Sequence, residues 1–246
     1  MSHFKKLTIV AALSATLGSA AMASEVEWSY EGDTGPENWA NLHENFASCA
    51  GNQQSPIDIQ PSSVVDAQLL PLEIKWNEEV DLSVANTGHG IQDNGADLGT
   101  ATINGKEYTL KQFHFHHPSE HTIDGKHFPA EVHFVHQASD GSLAVVAVML
   151  DGGGENSVFG DSLNTATDAM GETHLGVENP RDLLPEDLSV YTYRGSLTTP
   201  PCSEIVDWNI LKTPLKVSDE SLEAFAELYD NDARPTQNLA RRYVLQ

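Results

Sequence analysis

Gln112-Phe113-His114-Phe115-His116 alternates polar and aromatic residues without a break. In an extended segment successive side chains point to opposite faces, so Gln112, His114 and His116 share one face and Phe113 and Phe115 the other. The aromatic face belongs in a core, and the two imidazoles stand side by side above it. Such a pair suits a divalent metal, zinc above all, because neutral imidazole is a preferred zinc ligand. A plain strand with histidines on its exposed face shows the same alternation, so the rest of the chain has to decide between the two.

Strand-like runs surround this segment, at residues 80–85, 101–103, 108–116, 131–137, 143–150, 190–193 and 205–211. Turn signals separate them, among them Asn104-Gly105, Asp124-Gly125 and Asp140-Gly141. Residues 143–150 are apolar on both faces, as expected of a central, doubly covered strand. The clearest helix covers residues 219–229, with Ser218 as its cap and Leu222, Phe225 and Leu228/Tyr229 as its apolar stripe. Residues 24–60, rich in Gly, Pro, Asn and aromatics, read as an irregular segment laid over the core. No repeat, low-complexity tract or linker divides the chain. The expected fold is mainly β (α+β): one domain over residues 24–246, with a large twisted, mostly antiparallel central sheet and short peripheral helices.

A second histidine-bearing strand, Ala130-Glu131-Val132-His133-Phe134-Val135-His136, puts Glu131, His133 and Val135 on one face and His136 on the other. Paired with the first strand, it lets His133 join His114 and His116. Three imidazoles with one open position describe a catalytic zinc, whereas a structural zinc is closed by four protein ligands. Gln112 and Glu131 lie on the same faces as these histidines and suit the outer partners that fix a ligand's tautomer. The spacing His114, His116, Glu120 also fits the first half of a cupin metal motif, but no downstream Pro-x-Gly followed by His completes it.

The N-terminus carries Lys5 and Lys6, an apolar run over residues 7–17 and then Ala21-Met22-Ala23, the order of a secretory signal peptide at residues 1–23 cleaved before Ser24. The apolar run is short for a membrane span, and no later segment is long and apolar enough to be one. Cleavage removes two lysines and no carboxylate, so the formal charge of -23 becomes −25. That charge repels nucleic acid and anionic membranes, which excludes both as partners. In an exported chain the two cysteines, Cys49 and Cys202, are expected to pair as a disulfide rather than stay as free thiols.

Further motifs occur in a fixed order. Trp28-Ser29-Tyr30 and Gly35-Pro36-Glu37-Asn38-Trp39 come first, then Gln54-Ser55-Pro56-Ile57-Asp58-Ile59. After the first histidine strand comes Ser119-Glu120-His121-Thr122, and after the second Gly195-Ser196-Leu197-Thr198-Thr199-Pro200-Pro201 and Arg234-Pro235-Thr236-Gln237. Together with the two histidine strands, this ordered set resembles the α-class carbonic anhydrases over residues 26–246.

The resemblance implies reversible hydration of CO₂ to bicarbonate and a proton, by attack of a zinc-bound hydroxide. It implies one Zn²⁺ per chain on His114, His116 and His133. Thr198 would donate its hydroxyl proton to Glu120 and so orient the nucleophile, which fits a threonine's dual capacity and an ionised glutamate's single one. His89 falls at the proton-shuttle position, suited by an ordinary imidazole pKa near 6.5, and Tyr30 would order the water leading to it. Val135, Val145, Leu197, Thr199 and Trp208 would line the substrate pocket.

His117 stands where many animal members have tryptophan, away from the metal. His121 is expected to be a hydrogen-bonded structural histidine, and His127 and His174 to lie on the surface. The bacterial look of the signal implies the periplasm, and bacterial relatives of this kind imply a homodimer. The alternative is a non-catalytic zinc-binding or interaction protein on the same fold. Relatives that lose catalysis typically lose a ligand histidine, and this chain keeps all three.

Overall fold

The computed structural model describes residues 26–166 and 170–246, so the expected signal peptide lies outside the described residues. The strands in chain order are β1 (Asp58–Ile59), β2 (Glu73–Trp76), β3 (Val80–Asn86), β4 (Ile91–Gly95) and β5 (Gly99–Ile103). They continue with β6 (Lys106–His116), β7 (Thr122–Ile123), β8 (Ala130–Gln137) and β9 (Leu143–Asp151). The last are β10 (Gly171–Glu178), β11 (Val190–Gly195), β12 (Val206–Leu211) and β13 (Leu215–Lys216). The helices α1 (Trp39–Leu42), α2 (Ser157–Thr165) and α3 (Asp219–Leu228) are short. None of the described helices is long and apolar enough to cross a membrane.

Eleven strands form one sheet whose main path runs β10-β3-β4-β6-β8-β9-β12-β11. Its pairs are antiparallel, as the sequence leads one to expect, except that β12 and β13 run parallel to β9. The two histidine strands β6 and β8 are neighbours at the centre of the path, with His114 opposite His133 and His116 opposite Glu131. A bulge between Leu110 and Gln112 sets this register. Because side chains alternate with a period of two, a slip of one residue would turn His114, His116 and His133 into the core.

The faces divide as the alternation requires. Phe113, Phe115 and Phe134 are wholly buried in the main core, together with Phe159 of α2 and Phe225 of α3. Full burial of each such ring contributes roughly 1.5–3 kcal/mol. Residues Ala144 to Leu150 of β9 are buried on both sides between β8 and β12. On the other face Val145, Ala147, Trp208 and Ile210 form a second apolar cluster. Ser218 accepts the Ser221 N–H at 3.1 Å and starts α3 as expected.

Cys49 and Cys202 are joined by a disulfide across 153 positions. It ties the N-terminal segment to the loop that follows Thr198. In the chain-entropy picture so long a closed loop stabilises by roughly 5 kcal/mol.

Candidate metal centre

His114, His116 and His133, on the shared face of β6 and β8, each give one ring nitrogen to a fixed acceptor. His114 Nδ1 lies 2.9 Å from the Gln112 amide oxygen. His116 Nδ1 lies 2.8 Å from the main-chain carbonyl of Asp232, and His133 Nε2 lies 2.8 Å from Glu131 Oε1. A carbonyl or carboxylate oxygen can only accept, so each of these nitrogens carries the proton. The remaining nitrogens, Nε2 of His114, Nε2 of His116 and Nδ1 of His133, keep their lone pairs. Ligand atoms of these three residues lie within 4.8 Å of one another.

Glu131 does more than hold His133. Its Oε2 accepts the His121 main-chain N–H, and its Oε1 is also 2.8 Å from His121 Nδ1. His121 Nε2 then meets the Tyr193 hydroxyl at 2.7 Å, and that hydroxyl lies 2.8 Å from Ser55 Oγ. His121, Glu131 and His133 also lie close enough to hold a metal, but their facing atoms already bond one another. His121 is thus the structural histidine the sequence suggests.

Glu120 is wholly buried. Its Oε1 accepts the Arg234 main-chain N–H at 2.9 Å, while the Arg234 guanidinium is fixed by Gln54, Ser55 and Cys49. Its Oε2 has no hydrogen-bond partner and sits 3.5 Å from His116 Nε2 and 3.9 Å from His133 Nδ1. The expected bond from Thr198 to Glu120 is therefore not formed here. One oxygen is taken by Arg234, and the other is drawn to the imidazole edges. Thr198 is buried.

Burial and the neighbouring His116 and His133 hold His114 well below the ordinary imidazole range. Burial also lowers His133, against the pull of Glu131. Both therefore favour the neutral, metal-ligating form. Burial opposes the charged form of His116 as well, but Glu120 and Asp232 outweigh it and raise that group. Burial pushes Asp232 up to about 7.

A cavity of about 1150 Å³ is lined by Trp28, Tyr30, His43, Phe46, His89 and Met170. Pro200 and Asn231, chain neighbours of Thr199 and Asp232, also line it and set it beside the histidine cluster. The His89 ring stacks on Trp28 with centroids 3.8 Å apart. The Tyr30 hydroxyl is buried and has no hydrogen-bond partner among the described residues. Val135 and Leu197 pack on the cluster containing Val145 and Trp208, and the Trp208 ring stands 4.9 Å from His133. Its indole N–H donates to Ser196 O at 2.9 Å. Thr199 is half-buried, and its carbonyl accepts the Cys202 N–H at 2.8 Å.

The donor set fits a zinc-like cation: three imidazoles of fixed tautomer, with His116 Nε2 and Glu120 Oε2 as buried atoms that no protein group satisfies. The sequence model of the eukaryotic-type carbonic anhydrase family matches residues 34–246. The chain belongs to that family. It is 39% identical over 248 residues to a carbonic anhydrase of Neisseria gonorrhoeae, covering 98% of this chain and 96% of the relative. The α-carbonic anhydrase of Thermovibrio ammonificans, solved with the inhibitor sulfanilamide, superposes with a TM-score of 0.86 at 40% identity, covering 90% of this chain and 99% of that one. Dioscorin, solved with ascorbate, gives 0.83 at 32% identity, covering 89% and 97%.

Membership makes the chain an enzyme of the carbonic anhydrase class, a lyase, and CO₂ and bicarbonate its small-molecule substrates. Of the carbonic anhydrase positions read from sequence, the fold gathers Gln112, His114, His116, Glu120, Glu131 and His133 around one point. It sets His89 and Tyr30 on the adjoining cavity. His136 faces the opposite side, where Trp76 donates to its Nε2 at 3.1 Å. His117 turns its Nδ1 to Pro129 O, and His127 and His174 are exposed. Asp232, Tyr193 and Ser55 had no assigned role in the sequence. They approach the histidines from distant parts of the chain, and no local spacing marks them.

Proposed function

We propose that the protein hydrates CO₂ reversibly to bicarbonate and a proton, using one Zn²⁺ held by His114, His116 and His133. The observation that carries this is the set of three converging imidazole nitrogens, each ring fixed by a separate acceptor. Bound there, zinc supplies the Lewis acidity that lowers the pKa of a coordinated water from 15.7 to roughly 7.

The remaining work belongs to the chain. Arg234 anchors one Glu120 oxygen and leaves the other as an acceptor. With zinc bound, Thr198 would turn its hydroxyl proton to that oxygen, keep only lone pairs toward the open position and so orient what binds there. The Thr198 main-chain N–H holds a substrate oxygen. Val135, Val145, Leu197 and Trp208, with Thr199 at their edge, form a wall against which apolar CO₂ sits more comfortably than charged bicarbonate. The product proton leaves through water ordered by Tyr30 to His89 at the cavity, and from there to buffer.

Zinc stoichiometry together with stopped-flow CO₂ hydration, before and after a chelator, tests the reading. One zinc per chain with chelator-sensitive hydration is expected. A zinc protein that hydrates no CO₂ is instead the non-catalytic binding module. The N-terminal residues 1–23 export the chain to the periplasm in this account, and the mass of the mature protein should begin at Ser24.

A further inference from the structure

Asp232 binds the end of β6 through three separate groups. Its main-chain carbonyl accepts the His116 Nδ1–H at 2.8 Å. Its main-chain N–H donates to His117 O at 2.9 Å. Its carboxyl Oδ1 accepts the His117 N–H at 2.6 Å. The residue is completely buried. On one side of β6 the ladder with β4 ends at Phe115, and on the other the ladder with β8 ends at His116. Among the described residues no strand is paired with His117, so the side chain of Asp232 supplies the acceptor that a ladder would.

We propose that Asp232 is a positioning residue for His116: its carboxyl locks the main chain of His117, and this seats the carbonyl of Asp232 on the His116 ring. The inference rests on the zinc reading above. The two bonds to His117 run in opposite directions and close a small ring between residues 117 and 232. Sliding the loop of Asp232 along β6 must break both. Without the carboxyl the loop keeps the Asp232 N–H on His117 O and the Arg234 N–H on Glu120 but loses the second arm of the ring. The carbonyl and the imidazole it seats then gain room to swing, and metal sites need their ligands within about 10–20° of the productive orientation. Gly90 leaves room for the arrangement, since a Cβ there would lie 3.1 Å from Asp232 Oδ2.

The experiment follows zinc loss from the loaded protein into excess dipicolinate for wild type, Asp232→Ala and Asp232→Asn. Asn keeps an acceptor oxygen for the His117 N–H, and Ala does not. Loss from the Ala variant is expected to be faster by up to about 10-fold, with the Asn variant close to wild type. That is less than the about 10–100-fold for deleting an outer partner outright, because the carbonyl itself remains. An Ala variant at the wild-type rate overturns the proposal. So does an Asn variant as fast as Ala, because charge and not the hydrogen bond would then matter. Should the Ala variant fail to fold, hydrogen exchange at the His117 amide of loaded wild type decides: a protected amide supports the clamp and a freely exchanging one overturns it. Wild type that takes up no zinc removes the zinc reading itself, whereas a zinc-loaded wild type matched by Ala removes the clamp alone.

Discussion

His133 Nε2 and Glu131 Oε1 are 2.8 Å apart, and the same carboxylate is bonded to the main chain and ring of His121. One buried anion thus sets the tautomer of a metal-facing imidazole and ties it to the chain that runs through Tyr193 to Ser55. Burial alone would raise the Glu131 carboxyl, but the neighbouring His121 and His133, both bonded to it, hold it well below the usual carboxylate range.

Replacing that anion should therefore cost metal affinity before it costs the fold. Glu131→Gln keeps the size but turns an N–H donor toward a ring N–H. Zinc affinity should fall about 10–100-fold, and the unsatisfied buried donors should lower stability by about 1–3 kcal/mol. Competition with a chromophoric chelator and urea unfolding of the metal-free protein measure the two. Unchanged affinity would show that Glu131 does not govern the ligand.

His89→Ala should lower CO₂ hydration in weakly buffered solution and leave zinc content unchanged, because His89 stands on the cavity and not on the metal cluster. Added imidazole buffer should restore turnover by taking the proton directly. A variant with full activity in poor buffer, or one that imidazole fails to rescue, removes His89 as the relay.

Asp93 gives a pH signature unrelated to catalysis. It is wholly buried, its Oδ2 is 2.7 Å from Ser162 Oγ of α2, and its Oδ1 has no partner. Burial pushes it up to about 7, and Glu178 adds to the shift. The folded protein therefore holds a proton that the unfolded chain has already released between pH ~4 and ~7. Stability from this group is fullest below about pH 4, declines as pH rises through that window, and levels off above it. The total change is about 4 kcal/mol for a shift of about three units. Urea unfolding across this range should show the decline in wild type relative to Asp93→Asn. Parallel curves would mean that Asp93 is already ionised in the folded state.

The centre of the sheet was legible because period-two alternation survives in β6 and β8 and an unbroken apolar run marks β9. Outside it the signals conflict. In β4, Asp93-Asn94-Gly95 reads as a turn, yet the segment is held as a strand between β3 and β6. β10 is a polar edge strand with no core face to betray it. α2 hides because Gly160 and Ser162 interrupt its apolar stripe, and Ser162 is there to meet Asp93. The same division holds at the site. The ligands and their strand neighbours Gln112 and Glu131 follow from alternation, whereas Glu120, Thr198 and His89 came only from resemblance. Asp232 and Arg234 meet His116 and Glu120 through main-chain groups, which a side-chain pattern does not reveal.

The claim on which the rest depends is that three histidines of this chain hold one zinc and leave a position open. X-ray absorption at the zinc edge of the loaded protein measures it directly. Three imidazole nitrogens at about 2.0–2.1 Å with one further light-atom ligand are expected, with loss of the bound metal in His133→Ala. A site closed by four protein ligands, or undiminished zinc in His133→Ala, would contradict it.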